Sequence, residues 1–273
     1  MILFIVTILV FLIVLIKGKG WVGERRVSRK LSWLPSAKYQ IIDDVLLPTF
    51  YGTTQIDHIV VSIYGVFVIE TKNYKGTISG GPNSETWTQN IYGKKYSMPN
   101  PIRQNRVHVA AVCDVLNKAC IVCDVHSIIA ISNSANIYAS VDNCDIVHFR
   151  ELRPTIRKYQ KEQLSQQQVI NVLNAINAAN IVSSSARRKH AQNVKQMRRE
   201  RDIKIANNIC PRCGGELKLR YGKYSAFCVN LNYQLSIINY QPLLSSKQQL
   251  LTFNSRQRRN YSASFNFQLS TFN

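Results

Sequence analysis

The stretch QIDHIVVSIYGVFVIETKNYKG, Gln55 to Gly76, reads as a buried β-hairpin that carries three charges it does not need for burial. β-Branched and aromatic residues dominate both arms, and Tyr64-Gly65 supplies a turn between them. Side chains alternate along a strand, so Glu70 and Lys72 share a face. With a two-residue turn at Tyr64-Gly65, Asp57 stands opposite Lys72 and Ile59 opposite Glu70. Asp57, Glu70 and Lys72 then gather at one end of one sheet face, with His58 on the other face. A four-residue loop keeps this parity, whereas a three-residue loop moves Asp57 to the far side. Two carboxylates on neighbouring strands offer hard oxygens to Mg²⁺ or Mn²⁺, and a metal-held water can attack a phosphodiester. A Lys two residues past the second carboxylate can neutralise charge that develops on the phosphate. By spacing alone, Glu-x-Lys is more often a solvated ion pair on a strand.

Working outward, VGERRVSRKLSWL (Val22 to Leu34) places Val27, Leu31 and Leu34 on one face of a short amphipathic helix that Pro35 ends. YQIIDDVLL from Tyr39 is a strand. GTISGGPNSETWTQNIYGKKYSM reads as a second, shorter strand pair around Gly- and Asn-rich turns. Asn100-Pro101 opens a helix that runs to about Lys118, with an Asn cap and Pro in the first turn. VHSIIAIS and CDIVHF are further strands, and ELRPTIRKY and SQQQVINVLNAINAANIV are helices. The order predicts an α/β fold with a mixed central sheet flanked by helices. Gln104 and His108 lie four apart on one helix face and can point together. His108 ranks second, since a lone His on such a face is more often structural. Glu24 is either a further acidic ligand or a first-turn carboxylate that favours the helix dipole.

Taken in order, Gly23-Glu24, the hairpin, Trp87 and Gln89, and NPIRQNRVH (Asn100 to His108) resemble the nuclease-related domain, or NERD, family over roughly Trp21 to Cys120. The resemblance implies a restriction-endonuclease-like core and a catalytic set of Glu24, Asp57, Glu70, Lys72 and Gln104. In that set Asp57 and Glu70 hold Mg²⁺, Glu24 assists, Lys72 stabilises charge, and Gln104 orients water or phosphate. The implied function is Mg²⁺-dependent hydrolysis of DNA phosphodiesters. A non-catalytic nucleic-acid-binding protein that tethers DNA at the membrane is the alternative.

The two ends of the chain differ in character. MILFIVTILVFLIVLI (Met1 to Ile16) is unbroken apolar sequence. As a helix it reaches roughly 24 Å, short of the ~30 Å hydrocarbon core, a gap that bilayer thinning or the Lys17 and Lys19 side chains can close. Basic residues crowd its C-terminal side, which predicts a single-pass anchor in the bacterial inner (plasma) membrane with the bulk of the chain cytoplasmic. Of the formal charge of +20, a surplus of 16 Lys/Arg over 3 Asp/Glu lies from Ser183 onward, and it points to a polyanionic partner. Seven Cys, an odd number, suit a reducing compartment. Cys113, Cys120 and Cys123 read as free buried thiols.

CPRCGGELKLRYGKYSAFC, Cys210 to Cys228, resembles the C-terminal zinc ribbon of bacterial type I topoisomerases. That resemblance implies Zn²⁺ on Cys210, Cys213 and Cys228, and single-stranded DNA on Arg220, Lys223, Tyr224 and Phe227. A structural zinc site takes four ligands, and the expected Tyr-Pro-x-Cys is replaced by NYQLS, so the ribbon is incomplete. The tail beyond Cys228 has no acidic residue and no sustained periodicity, as loss of the reading frame between Phe227 and Gln234 would produce. The organisation expected is therefore an anchor at 1–20, the nuclease-like domain at 21–182, a basic linker at 183–208, the ribbon at 209–230 and the tail at 231–273.

Overall fold

A computed structural model describes residues 20–141, 143–211, 214–221, 226–230 and 237–239. The anchor expected at 1–20 lies almost wholly outside the described residues. Among these, no helix is long and apolar enough to cross a membrane.

Helix α1 (20–31) leads into β1 (Tyr39–Thr49), β2 (Gly52–Ser62) and β3 (Gly65–Lys72), which form an antiparallel meander. Strands β4 (Gly76–Gly80), β5 (Thr86–Ile91) and β6 (Lys94–Pro99) follow, then α2 (Pro101–Lys118). β7 (Val125–Ile131), β8 (Ala135–Ala139) and β9 (Asp145–His148) precede α3 (Leu152–Arg157), α4 (Gln166–Ala179) and α5 (Ser184–Ala206). Asn100 caps α2 as the sequence predicts, with its Oδ1 accepting from Ile102 N at 2.9 Å.

The expected single central sheet is two mixed sheets. One has the order β1-β2-β3-β7-β9, and the other has the order β6-β5-β4-β8. β3 pairs with β7 in parallel, and β4 pairs with β8 in parallel. Residues 73–75 carry β3 into β4, and residues 132–134 carry β7 into β8, so the sheets are joined twice, side by side. Ser132 N donates to Lys72 O (2.9 Å) and Gly76 N to Ser134 O (3.2 Å) across this seam. The pair expected between Gly76 and Met98 is three strands, because β4 finds a partner far along the chain in β8.

Each face of the larger sheet buries a separate core. Val27, Leu31 and Leu34 of the α1 segment pack with Val60, Phe67, Ile69, Ile128 and Ala130. On the opposite face α2 and α4 pack on Ile59, Val61, Val66 and Val68. Asn105 of α2, fully buried, fastens that helix to the strands by donating from Nδ2 to the carbonyls of Val68 (3.1 Å) and Ile128 (3.3 Å).

The basic segment, expected as a linker or a solvated helix, forms the 23-residue α5, none of whose residues is buried. Its start touches the sheet through Arg187 with Asp44 (2.8 Å) and His190 with Thr53 (2.9 Å). Beyond it, β10 (Leu217–Tyr221), β11 (Ala226–Asn230) and β12 (Ile237–Asn239) form a three-stranded antiparallel sheet. The third strand falls inside the tail that periodicity left without structure. Cys113 and Cys123 are half-buried, but Cys120 is exposed, which corrects its reading as a buried thiol. It occupies a left-handed position (φ 55°) just past the end of α2, where the chain leaves the helix.

Candidate functional site

The hairpin register differs from expectation by two residues. His58 pairs with Ile69 and Ser62 with Gly65, so the loop is Ile63-Tyr64. Gly65 (φ 119°) is already in β3, and a Cβ there would lie 2.8 Å from Asp124 O. Glycine serves the close approach of β7 rather than the turn. A shift of two leaves side-chain parity unchanged, so the same faces are presented.

The ladder between β1 and β2 skips one pair. Asp43 pairs with His58 and Val45 with Ile56, and between them Asp44 takes a left-handed conformation (φ 57°). Ile56 and Ile59 both enter the core under α2, so the alternation changes phase at Asp57 and His58. There Asp57 Oδ2 accepts from Thr71 N at 2.7 Å, just past the last bonded pair of β2 and β3.

Beside it, Glu70 is 2% exposed and both of its oxygens are engaged. Lys72 Nζ donates to Oε1 at 2.5 Å, and His108 Nε2 donates to Oε2 at 3.0 Å. Lys72 Nζ also donates to Gln104 Oε1 at 3.0 Å. A carboxylate only accepts, so His108 carries its proton on Nε2, which leaves Nδ1 to the Thr54 hydroxyl at 2.7 Å. The structure therefore joins Glu70, Lys72, Gln104 and His108 in one network, with Asp57 alongside. His108 ranked second from sequence, and Thr54 and Asn105 were given no role. The helical spacing of Asn105 and His108 within NPIRQNRVH was the available signal for Asn105, and Thr54 had none.

Glu24 sits on α1, half-buried, and its charge bears on Asp57, Glu70 and Lys72. Gly23 packs against Thr71 and Asn73 at the strand end. Burial raises the Glu24 pKa, with His58 opposing the rise and Asp44, Glu70 and then Lys72 acting more weakly. His58 itself turns to Asp43, at 2.7 Å.

Electrostatics separate the two central carboxyls. Burial, then the Glu70 charge, pushes Asp57 up to about 8, against the Thr71 hydrogen bond. Burial would raise Glu70 too, but the Lys72 charge and the His108 hydrogen bond outweigh it and hold Glu70 below the ordinary value. Lys72 is lowered by burial but raised more by Glu70, Tyr74 and Asp57, so it stays charged.

Among the described residues no three His, Cys, Asp or Glu side chains group to hold a metal ion. Asp57 and Glu70 are a pair of hard-oxygen donors, and burial together with the Glu70 charge disfavours a second negative charge on Asp57, which a bound cation would relieve. Each carboxylate oxygen retains a second lone pair. That chemistry fits Mg²⁺, which keeps most of its waters and takes one or two carboxylates.

For the ribbon, Cys210 is buried, and its turn is tied by Cys210 N to Gly215 O (2.7 Å) and Gly214 N to Cys210 O (2.9 Å). Cys213, Lys223 and Tyr224 lie outside the described residues. Arg220 and Phe227 pair in register between β10 and β11, and Cys228 pairs with Leu219. The side chains of Arg220, Phe227 and Cys228 are also outside what is described.

Two comparisons with known proteins bear on this geometry. Residues 19–132 match the family model for the nuclease-related domain, a span that holds the whole Glu70–Lys72–Gln104–His108 network. An uncharacterized protein of Bacillus anthracis is 34% identical over 179 residues, covering 64% of this chain and 84% of that protein. No solved structure matches the chain. The chain belongs to the nuclease-related domain family.

Proposed function

We propose that this protein is a Mg²⁺-dependent nuclease that hydrolyses DNA phosphodiesters with a site of restriction-endonuclease-like type. The observation that carries the reading is the Lys72 ammonium, held between Glu70 and Gln104 beside a second, electrostatically strained carboxylate, Asp57. Asp57 and Glu70 would hold the metal, which when bound supplies an activated water and charge neutralisation. Lys72 faces the phosphate and stabilises charge as water adds and the P–O bond breaks. Gln104 fixes the Lys72 position through its Oε1 and offers its amide to water or a phosphoryl oxygen. His108 holds Glu70 in orientation. Glu24 adds negative potential at Asp57.

The test is cleavage of single- and double-stranded DNA and RNA by the full chain, with Mg²⁺ or with EDTA. Asp57→Ala and Lys72→Ala are expected to lower the rate at least about a hundredfold while leaving circular dichroism unchanged. Equal cleavage by wild type and both variants would sink the proposal.

One observation favours a second reading, a binder that tethers DNA at the membrane. Both Glu70 oxygens and the Lys72 ammonium already have protein partners. Calorimetric titration discriminates: Mg²⁺ binding lost on Asp57→Ala supports the nuclease, and absent Mg²⁺ and Mn²⁺ binding supports the binder.

A further inference from the structure

A cleft of about 350 Å³ opens where the carboxyl ends of β7 and β9 meet α1. Crevices at the carboxyl ends of parallel strands are where open α/β sheets take ligands. One wall is Arg26, Arg29, Lys30 and Trp33, and the other is the turn Ser132–Ser134 with Phe149. Its volume is near the low end of the range for small-molecule pockets, about 300–1,000 Å³.

The cleft is positive and uncompensated. Among the described residues no carboxylate forms an ion pair with Arg26, Arg29 or Lys30. Arg153 adds a fourth cation over one face of the Trp33 ring, 5.0 Å from its centroid. Trp33 remains 62% exposed, an unusual position for so large an apolar surface. The opposite wall is neutral and polar, and its shape is held. The Ser132 and Ser134 hydroxyls both donate to Tyr74 O, and Asn133 Oδ1 accepts from Arg150 N at 3.2 Å. That leaves the Asn133 NH₂ as a donor. The same turn is bonded to the Lys72 carbonyl through Ser132 N. The cleft and the carboxylate site thus share one strand junction, on opposite faces of the larger sheet.

Cations without carboxylate partners, an exposed indole and fixed amide donors form a surface complementary to phosphates joined to stacking bases. A bilayer surface is equally anionic, but it presents a plane, whereas these residues line a concavity. We propose that this cleft binds a single-stranded nucleic-acid segment continuous with the strand to be cut, past the shared strand junction: Arg26, Arg29 and Lys30 take phosphates, and the exposed Trp33 ring takes a base. The assignment of the bond to be cut rests on the nuclease reading, but the binding itself does not.

The experiment measures binding of a fluorescein-labelled single-stranded oligodeoxynucleotide to the full chain by anisotropy in EDTA, where no metal-dependent cleavage occurs. The R26A/R29A/K30A variant is expected to bind at least about tenfold more weakly at 0.1 M salt. Its plot of log affinity against log salt should be flatter by about 2, at about 0.7 per phosphate contact for single strands. Trp33→Ala is expected to weaken binding about five- to a hundredfold without changing that slope. Unchanged affinity in both variants, each with a wild-type melting midpoint, overturns the inference. So does loss of binding to phosphatidylserine-containing vesicles, relative to neutral ones, with strand affinity intact, because the face would then be a lipid surface. A protein that binds the strand through these residues but never cleaves it fails the nuclease reading alone. One that cleaves while the triple variant binds normally fails this inference alone.

Discussion

Asp57 and Glu70 are neighbouring carboxyls with opposite fates, and the difference makes stability depend on pH in two windows. Asp57 moves from 3.8 in an open chain to about 8 when folded, so the folded protein holds an extra proton between those values. Stability from this residue is greatest below about 4, falls as pH rises towards 8, and is level above. Glu70 acts in the other direction. Its folded value is depressed, so its contribution is present above 4.5 and is lost as pH falls through the folded value. In EDTA, the unfolding free energy from urea titration should therefore decline from about pH 5 to 8, by on the order of a few kcal/mol, and Asp57→Asn should remove the decline. An equal slope in wild type and variant would refute the assignment. At this scale the sequence was legible through parity. Glu70 and Lys72 share a face whatever the loop, and i, i+4 spacing brings Gln104 and His108 together. The register was not legible, because Gly65 looks like a turn residue and is in fact a packing residue.

Among the elements, the smaller sheet is where sequence reading ended earliest. Its β5–β6 hairpin has a local turn at Tyr92-Gly93, both with positive φ, and was visible. The parallel pairing of β4 with β8 joins segments far apart in the chain, which periodicity cannot connect. The device that holds the sheet together is specific. Trp87 is fully buried, its Nε1 donates to Gly81 O at 2.9 Å, and its ring lies where a Gly80 side chain would be. A Cβ on Gly80 would meet Trp87 Cδ1 at 2.1 Å, whereas one on Gly81 would meet only Ser140 Oγ at 3.9 Å. Gly80→Ala should therefore destabilise by about 1–3 kcal/mol or more, and Gly81→Ala by less than about 0.5. Denaturant midpoints of the two variants provide the check, and equal midpoints would mean that the indole does not rest on the Gly80 backbone.

Over the whole molecule, α4 and α5 differ in how firmly they are held. Ile181 N still bonds to Leu46 O, and Asn180 Oδ1 accepts from Leu46 N, so α4 and its exit belong to the folded unit. From Ser184 onward α5 buries nothing and holds on at the surface through Arg187, which donates to both the carboxylate and the carbonyl of Asp44, and through the His190–Thr53 hydrogen bond. Such contacts contribute little, so a chain stopped after Val182 should keep its urea stability to within about 1 kcal/mol. A larger loss would show that α5 is integral to the domain. The change of composition from Ser183 onward is a charge pattern, which a single sequence displays openly. The two-sheet architecture depends on distant pairings, which it does not. That architecture has a mechanical side. Two three-residue straps, 73–75 and 132–134, cross between the sheets next to each other and are bonded to one another. The straps do not act alone, because Ile78, Trp87 and Met98 of the smaller sheet share one core with Ile129 and Ile131 of β7 and Ile102 of α2. A load on the smaller sheet would therefore reach the Lys72 end of β3 through packed side chains as well as along the chain.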